Sequence, residues 1–479
     1  MSRIHECYIH GEWVAGNAIR QNINPSDMSD LIGIYSDADA SMVANAIASA
    51  SAAKSAMRAM PIQKRATALL QIGNEIIERK QELGRLLARE EGKTIREAIM
   101  EVERAGWIFL FFSGEALRCT GELLDSVRPD IGIDIIREPV GVVAIITPWN
   151  FPIAIPAWKI APALAFGNSV IFKPAELTPG CAWELTEIIS RAGFPRGAIN
   201  LLMGEGAKIG PALLESKEVD AITFTGSTPV GLQIASAAAL SLKKIQLEMG
   251  GKNPLVVLDD AHLPTAIDCA IDGAFFSTGQ RCTASSQFIV TEGIYAEFKK
   301  ELVQRAAALQ VGNALSDGTQ IGPVVDDRQL QKDLRYVDIA QAEGGKLLVG
   351  GTRVQRAEEG FYFLPAIVDE TLPHMTINKE EVFGPIASIL VVKDYDEALQ
   401  LANQMMFGLT AGIVTQSLKH ATHFKRNAQA GMVMVNVPTA GVDFHVPFGG
   451  KKASGWGPKE QGAYARDFYT TIKTAYTKS

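Results

Sequence analysis

Apolar and polar positions change their rhythm several times along the chain. Cys7 to Val14 alternates like an opening strand pair, whereas Ala40 to Ala59 and Lys64 to Arg118 repeat apolar residues at spacings of three and four. That spacing puts the apolar side chains on one face of a helix, so this part predicts a scaffold of long amphipathic helices. From Val140 to about Leu258, short β-branched runs (VVAIIT, SVIFK, AINLLM, AITFT, KKIQLE, PLVVL) alternate with helical stretches such as Thr178 to Gly193 and Pro229 to Leu242. The alternation predicts right-handed βαβ units and a mostly parallel sheet with helices on both faces. Ligands of such sheets bind beyond the carboxyl ends of the strands. A second α/β block runs from about Leu263 to Val435, with a helix ending near Cys282, the strand QFIVTE, a helix from Ile294, and the strands ASILVV and GIVTQ. Ile131 to Ile136 and the tail after Gln461 read as extended ribbons that belong to neither block and are expected to pair across subunits.

Pro139 to Trp158 carries no charge and is long enough to span a bilayer, but it holds Pro139, Pro148, Pro152 and Pro156. Those prolines break the helix that a membrane requires, so a buried strand over Val140 to Thr147 followed by an irregular loop is expected. Composition agrees with a soluble globular chain: 479 residues, 47% hydrophobic and 21% charged, for about three modules. The net charge of −7 lacks the basic excess of a nucleic-acid surface. Five scattered cysteines argue for a reducing compartment, and no Cys/His cluster suggests a metal. The first residues show no basic region leading into an apolar run, so a cytoplasmic location is expected.

Several motifs carry chemistry, each with an ordinary alternative. FTGSTPVG (Phe224 to Gly231) runs from a strand end through a Gly-rich turn into a helix, either a pyrophosphate site at a helix N-terminus or a plain tight turn. It lacks the Lys and Ser/Thr of a P-loop. GEGAKIG, with Gly206 and Gly210, is a weaker version of the same signal. Lys173 and Glu176 in KPAE close a strand, where an acid can accept from ribose hydroxyls or simply be solvated. Cys282 in STGQRCTASS sits in a polar turn beside Arg281, a setting that favours thiolate, unlike Cys269 inside an apolar helix. Glu248 ends the strand KKIQLE as a general base or an ordinary acid. Asn150 in TPWNFP is an oxyanion donor or a turn residue, with Trp149 and Phe151 as apolar walls. Glu381 and Phe383 in EEVFGPI form a second ribose contact or a surface loop.

In order, TPWNFP, KPAE, FTGSTPVG, LEMGGKNP, GQRC, EEVFGP and PFGGKKASG resemble the aldehyde dehydrogenase superfamily, and the likeness runs from GEWV near the start to the tail. The resemblance implies two Rossmann-like parallel-sheet domains plus a small β oligomerisation ribbon: 1–120 and 140–250 for NAD(P), 251–440 for catalysis, 121–139 and 460–479 for the ribbon. It implies Cys282 as nucleophile, Glu248 as general base, Asn150 as oxyanion donor and Lys159 in a proton relay. The implied cofactor surface, for NAD or NADP with Glu176 favouring NAD, takes Thr147, Pro148 and Trp149; Lys173, Ala175 and Glu176; and Gly206 and Gly210. It continues through Phe224, Gly226, Ser227 and Gly231, then Leu247 and Gly250, to Glu381 and Phe383 on the nicotinamide side. A small aldehyde as substrate and a homodimer or homotetramer are implied as well.

QLEMGGKNP, STGQRCTAS, AGVDFHVPFGG and KEQGAYARDFYTTIKT look like the corresponding stretches of bacterial α-ketoglutarate semialdehyde (2,5-dioxovalerate) dehydrogenases. Relatives acting on succinate semialdehyde usually carry an arginine before the relay lysine and another before the nucleophile; Trp158 and Phe276 stand at those positions. Arg281 is then the nearby cation for a substrate carboxylate. Phe151, Trp158, Phe275, Phe276 and Phe444 alternatively line a pocket for an aromatic or aliphatic aldehyde, or pack in the core.

Overall fold

The structure, a computed structural model, describes residues 3–478. Two large sheets organise it. The first has eight strands, with Lys244–Glu248, Ala221–Thr225, Val142–Ile146, Ser169–Lys173 and Ile199–Leu201 side by side and parallel. One edge is extended by the antiparallel pair Cys7–Ile9 and Glu12–Val14, and the other by Gly455–Trp456. The second sheet has seven strands, including Ile386–Val392, Ser285–Thr291, Asn253–Val257 and Thr410–Val414 in parallel. Period-two alternation covers both of its faces: Leu255, Val257, Phe288 and Val290 join one apolar cluster, Val256 and Ile289 another.

Helices Ala40–Ala59, Ile62–Glu78, Lys80–Glu91 and Ile95–Leu117 fill the amino-terminal region, where their apolar stripes share one core with the first sheet. The long helix Ile95–Leu117 opens with a capping box, Thr94 Oγ1 accepting from Glu97 N while Glu97 accepts from Thr94 N.

Three local expectations are corrected. Ala154 to Trp158 is not irregular: it opens the fully buried helix Ala154–Ala165, because Pro156 sits in the first turn, where its missing N–H removes no intrahelical bond. PLVVL, the last strand of the first alternating run, lies in the second sheet as Asn253–Val257. The helix before Cys282 stops at Phe275, and Ser277, Thr278 and Gly279 follow with positive φ of 49°, 54° and 66°. The two extended stretches pair with each other inside the chain, Thr470–Lys478 against Ile131–Pro139, with Glu122–Asp125 on the far side. Among the described residues no helix is long and apolar enough to cross a membrane.

This topology makes one cleft. Thr147, Lys173, Gly226 and Glu248 all lie at the carboxyl ends of parallel strands of the first sheet. Facing them are the amino ends of second-sheet strands, preceded by Gly251, Cys282 and Phe383.

Candidate active site

Cys282 is held by its backbone. Asn253 Nδ2 donates to the carbonyls of Cys282 (2.8 Å) and Ala284 (2.9 Å), pinning the chain just before strand Ser285–Thr291. Upstream, the left-handed turn places two non-glycine residues in a costly conformation. Glu97 supports it, accepting from Ser277 N at 2.7 Å, while Thr278 Oγ1 donates to Gly322 O at 3.2 Å. Burial, then the carboxylates Glu381 and Glu248, push the Cys282 thiol up to about 12. Arg281, the expected thiolate partner, instead pairs with Glu97 and Asp272, each at 3.3 Å. Cys7, Cys181 and Cys269 are buried and Cys119 is partly exposed; all are free thiols.

Asn150 lies 2% exposed, and its Nδ2 donates to Gln280 O at 2.9 Å. That bond uses one amide N–H and leaves the other available to an acceptor. Lys93 fixes the loop: its Nζ donates to Asn150 O and to Glu101, both at 2.7 Å, and lies 3.8 Å from the Phe151 ring centroid. Glu101 also accepts from Ile153 N and Ala154 N at 3.1 Å, so one buried carboxylate orders the start of helix Ala154–Ala165.

Glu248 is 4% exposed and accepts from Gly450 N at 3.3 Å. Burial and the neighbouring Glu460 raise its pKa well above the carboxylate range, against the pull of Lys459 and Lys159. Lys159 makes a buried ion pair with Glu460 and donates to Thr223 Oγ1 at 2.7 Å; Thr223 in turn donates to Gln246 Oε1 at 3.0 Å. Sequence reasoning missed Glu460, because its partner lies 301 residues away.

The residues expected to hold a dinucleotide line the adjoining part of the cleft. Lys173 Nζ pairs with Glu176 at 3.3 Å, and Gly206 begins a helix beside it, open enough that an added Cβ would lie 3.5 Å from Nζ. The N-terminus of helix Thr228–Leu240 has Ser227 as an N-cap that makes no side-chain cap bond, which leaves first-turn N–H groups unspent. Gly226 N donates to Glu248 O at 3.0 Å, tying this turn to the end of strand Lys244–Glu248. Side chains would collide at Gly226 with Phe224, at Gly231 with Met249 and at Gly250 with Glu381, so the backbone there stays bare. Glu381 accepts from Gly251 N at 2.8 Å, Phe383 (φ 64°) packs edge-on against Trp149, and the buried hydroxyls of Thr147 and Thr225 have no partner among the described residues. Pro148 continues the loop after Thr147; Ala175 and Leu247 are buried, and Gly210 faces open space. A bare, N–H-rich surface with orphaned hydroxyls fits a dinucleotide.

On the opposite side Cys282 opens into a cavity of about 560 Å³. Phe151, Trp158, Phe276 and Arg281 line it; Phe275 is instead core, and Phe444 packs on Trp107 and Phe111 while Phe448 takes a place in the wall. One helix face, Glu97, Met100, Glu101 and Arg104, supplies another wall. None of these four was singled out from the sequence, although charges at a three-and-four spacing on a helix with an apolar stripe were a usable signal.

Fold and cleft together define a two-sheet α/β enzyme built around a cysteine. The profile described as the aldehyde dehydrogenase family matches residues 13–475, and the chain belongs to that family. It is 41% identical over 476 residues to the α-ketoglutaric semialdehyde dehydrogenase of Bacillus subtilis (strain 168), covering 98% of this chain and 97% of that one. It is 40% identical to an α-ketoglutarate semialdehyde dehydrogenase of Haloferax volcanii, with 98% of each chain covered. Among solved structures, betaine aldehyde dehydrogenase from Staphylococcus aureus in complex with NAD+ superposes with a TM-score of 0.96 at 34% identity, over 99% of this chain and 95% of that one.

Proposed function

We propose that this enzyme oxidises α-ketoglutarate semialdehyde (2,5-dioxopentanoate) to α-ketoglutarate with NAD or NADP, acting in the cytoplasm as a homodimer or homotetramer. The observation that carries the reading is the cavity that joins Cys282 to a wall bearing arginines, and the two relatives bearing that name support it.

Lys173 and Glu176 would hold the adenosine ribose, the turn Gly226–Ser227 the pyrophosphate, and Glu381 with Phe383 the nicotinamide side. When bound, the nicotinamide supplies the hydride acceptor. Once the Cys282 thiol has passed its proton to water, the thiolate adds to the aldehyde carbon, and the resulting oxyanion accepts from the free Asn150 N–H and the Cys282 N–H, each such donor being worth about 2.7 to 4 kcal/mol. Loss of hydride from that carbon leaves a thioester on Cys282. Glu248 takes a proton from water as it attacks the thioester, which releases the carboxylic acid and regenerates the thiolate. Lys159 and Glu460, beside Glu248, can carry that proton onward. The test is a panel of initial rates with 2,5-dioxopentanoate, betaine aldehyde, benzaldehyde and pentanal, each with NAD and NADP. The reading expects the highest kcat/KM for 2,5-dioxopentanoate; a neutral or cationic aldehyde in first place refutes it.

A further inference from the structure

We infer that Arg104 is the seat of the substrate's distal carboxylate and thereby sets the enzyme's preference for semialdehyde acids. The inference rests on the proposed substrate class and names the residue that recognises it.

Two arginines of the cavity wall, Arg96 and Arg104, have no carboxylate partner among the described residues, and of the two Arg96 is exposed while Arg104 is half-buried against Trp158. On its helix face Glu97 is matched by Arg281, and Glu101 by Lys93 at 2.7 Å. Arg281 is matched further by Asp272. Among the described residues Arg104 makes no ion pair; its one hydrogen bond runs from Nη2 to Gln461 Oε1 at 3.2 Å. Its Nε is shut off from solvent with no acceptor, and burial lowers its pKa from the ordinary guanidinium value. Glu101, Asp443 and Cys282 act on it only at longer range, and Asp443 is exposed.

Two further orphans accompany it. The Arg104 guanidinium lies 5.7 Å from the ring centroid of Trp158, whose Nε1 is buried without an acceptor. Gln461, fully buried and held at φ 59°, accepts from Arg104 and leaves its own Nε2 unpartnered. These three donor atoms are closed to solvent, so what the cavity presents to an anion is the half-buried Arg104 guanidinium itself, with no carboxylate against it. Arg104 and Trp158 share the cavity with Cys282, so an aldehyde at the sulfur and a carboxylate at Arg104 occupy one chamber.

The test measures kcat and KM for 2,5-dioxopentanoate, succinate semialdehyde and pentanal with the wild type, R104M, R104Q and R104K, with glutarate as a competitive inhibitor. R104M and R104Q are expected to raise KM for both acids and Ki for glutarate by about 10- to 100-fold, the loss of a charged hydrogen-bonded contact, with kcat changing far less. The acid-over-pentanal ratio collapses accordingly, and R104K restores part of it. R104Q, with a neutral donor on a shorter stem, decides the matter if R104M does not fold. A wild type that favours acids while R104M or R104Q keeps that preference overturns the seat alone. A wild type with no preference for acids overturns the substrate reading and the seat with it.

Discussion

Burial and carboxylates hold the Cys282 thiol up to about 12, so at neutral pH the sulfur carries its proton. The sign follows directly: the thiolate fraction, and with it the rate of alkylation by iodoacetamide, should climb about tenfold per pH unit between 7 and 10 in the cofactor-free enzyme. Glu381→Gln removes the carboxylate that ranks next after burial, so alkylation at pH 8 should be faster in that variant; a slower or equal rate would contradict the assignment. Cys282→Ala should lose NAD(P)H formation altogether while still binding cofactor, as read by fluorescence titration. The Lys159–Glu460 pair is at most 1% exposed on either side chain. Lys159→Met therefore strands a buried carboxylate and should cost about 3–5 kcal/mol of stability in urea unfolding, part of which returns in Lys159→Met/Glu460→Gln.

At the scale of elements, the helix Ile95–Leu117 does more than its sequence announced. Glu97 caps it, anchors the left-handed turn at Ser277 and pairs with Arg281. Glu97→Ala removes all three, and a loss of about 2 kcal/mol or more is expected from the cap and the stranded donors. The same variant should lower kcat, because Gln280, which aligns Asn150, directly follows that turn; full activity at reduced stability would limit Glu97 to a structural role. Strands and helices of the parallel block were legible because a period of two or 3.6 is a local property. The start of helix Ala154–Ala165 was not, since four prolines read as breakage until Pro156 proved to occupy a first turn.

For the whole molecule, register in the ribbon decides which face is sticky. Pairing of Leu124 with Ile133 and of Ile133 with Tyr476 puts them on one face together with Ile131, Ile135 and Ile472. Tyr476 and Ile472 are 60% and 63% exposed. If this face joins subunits, Ile472→Lys/Tyr476→Asp should shift the protein to a smaller species in light scattering, with the fold retained by circular dichroism. An unchanged mass would place the subunit contact elsewhere.

The sequence by itself determined the α/β character, the order of the motifs and the family to which that order belongs, because each depends on neighbours within a few residues or on a fixed sequence of local signals. Cys282, Glu248 and Asn150 were visible in this way. Only the tertiary structure decided what surrounds them. It gave Lys159 the partner Glu460 from the far end of the chain, turned Arg281 toward Glu97 and Asp272, and left Arg104 without a carboxylate. Charge matching and burial are sums over residues that touch in space, and no pattern along one chain states which of its charges remain unmatched.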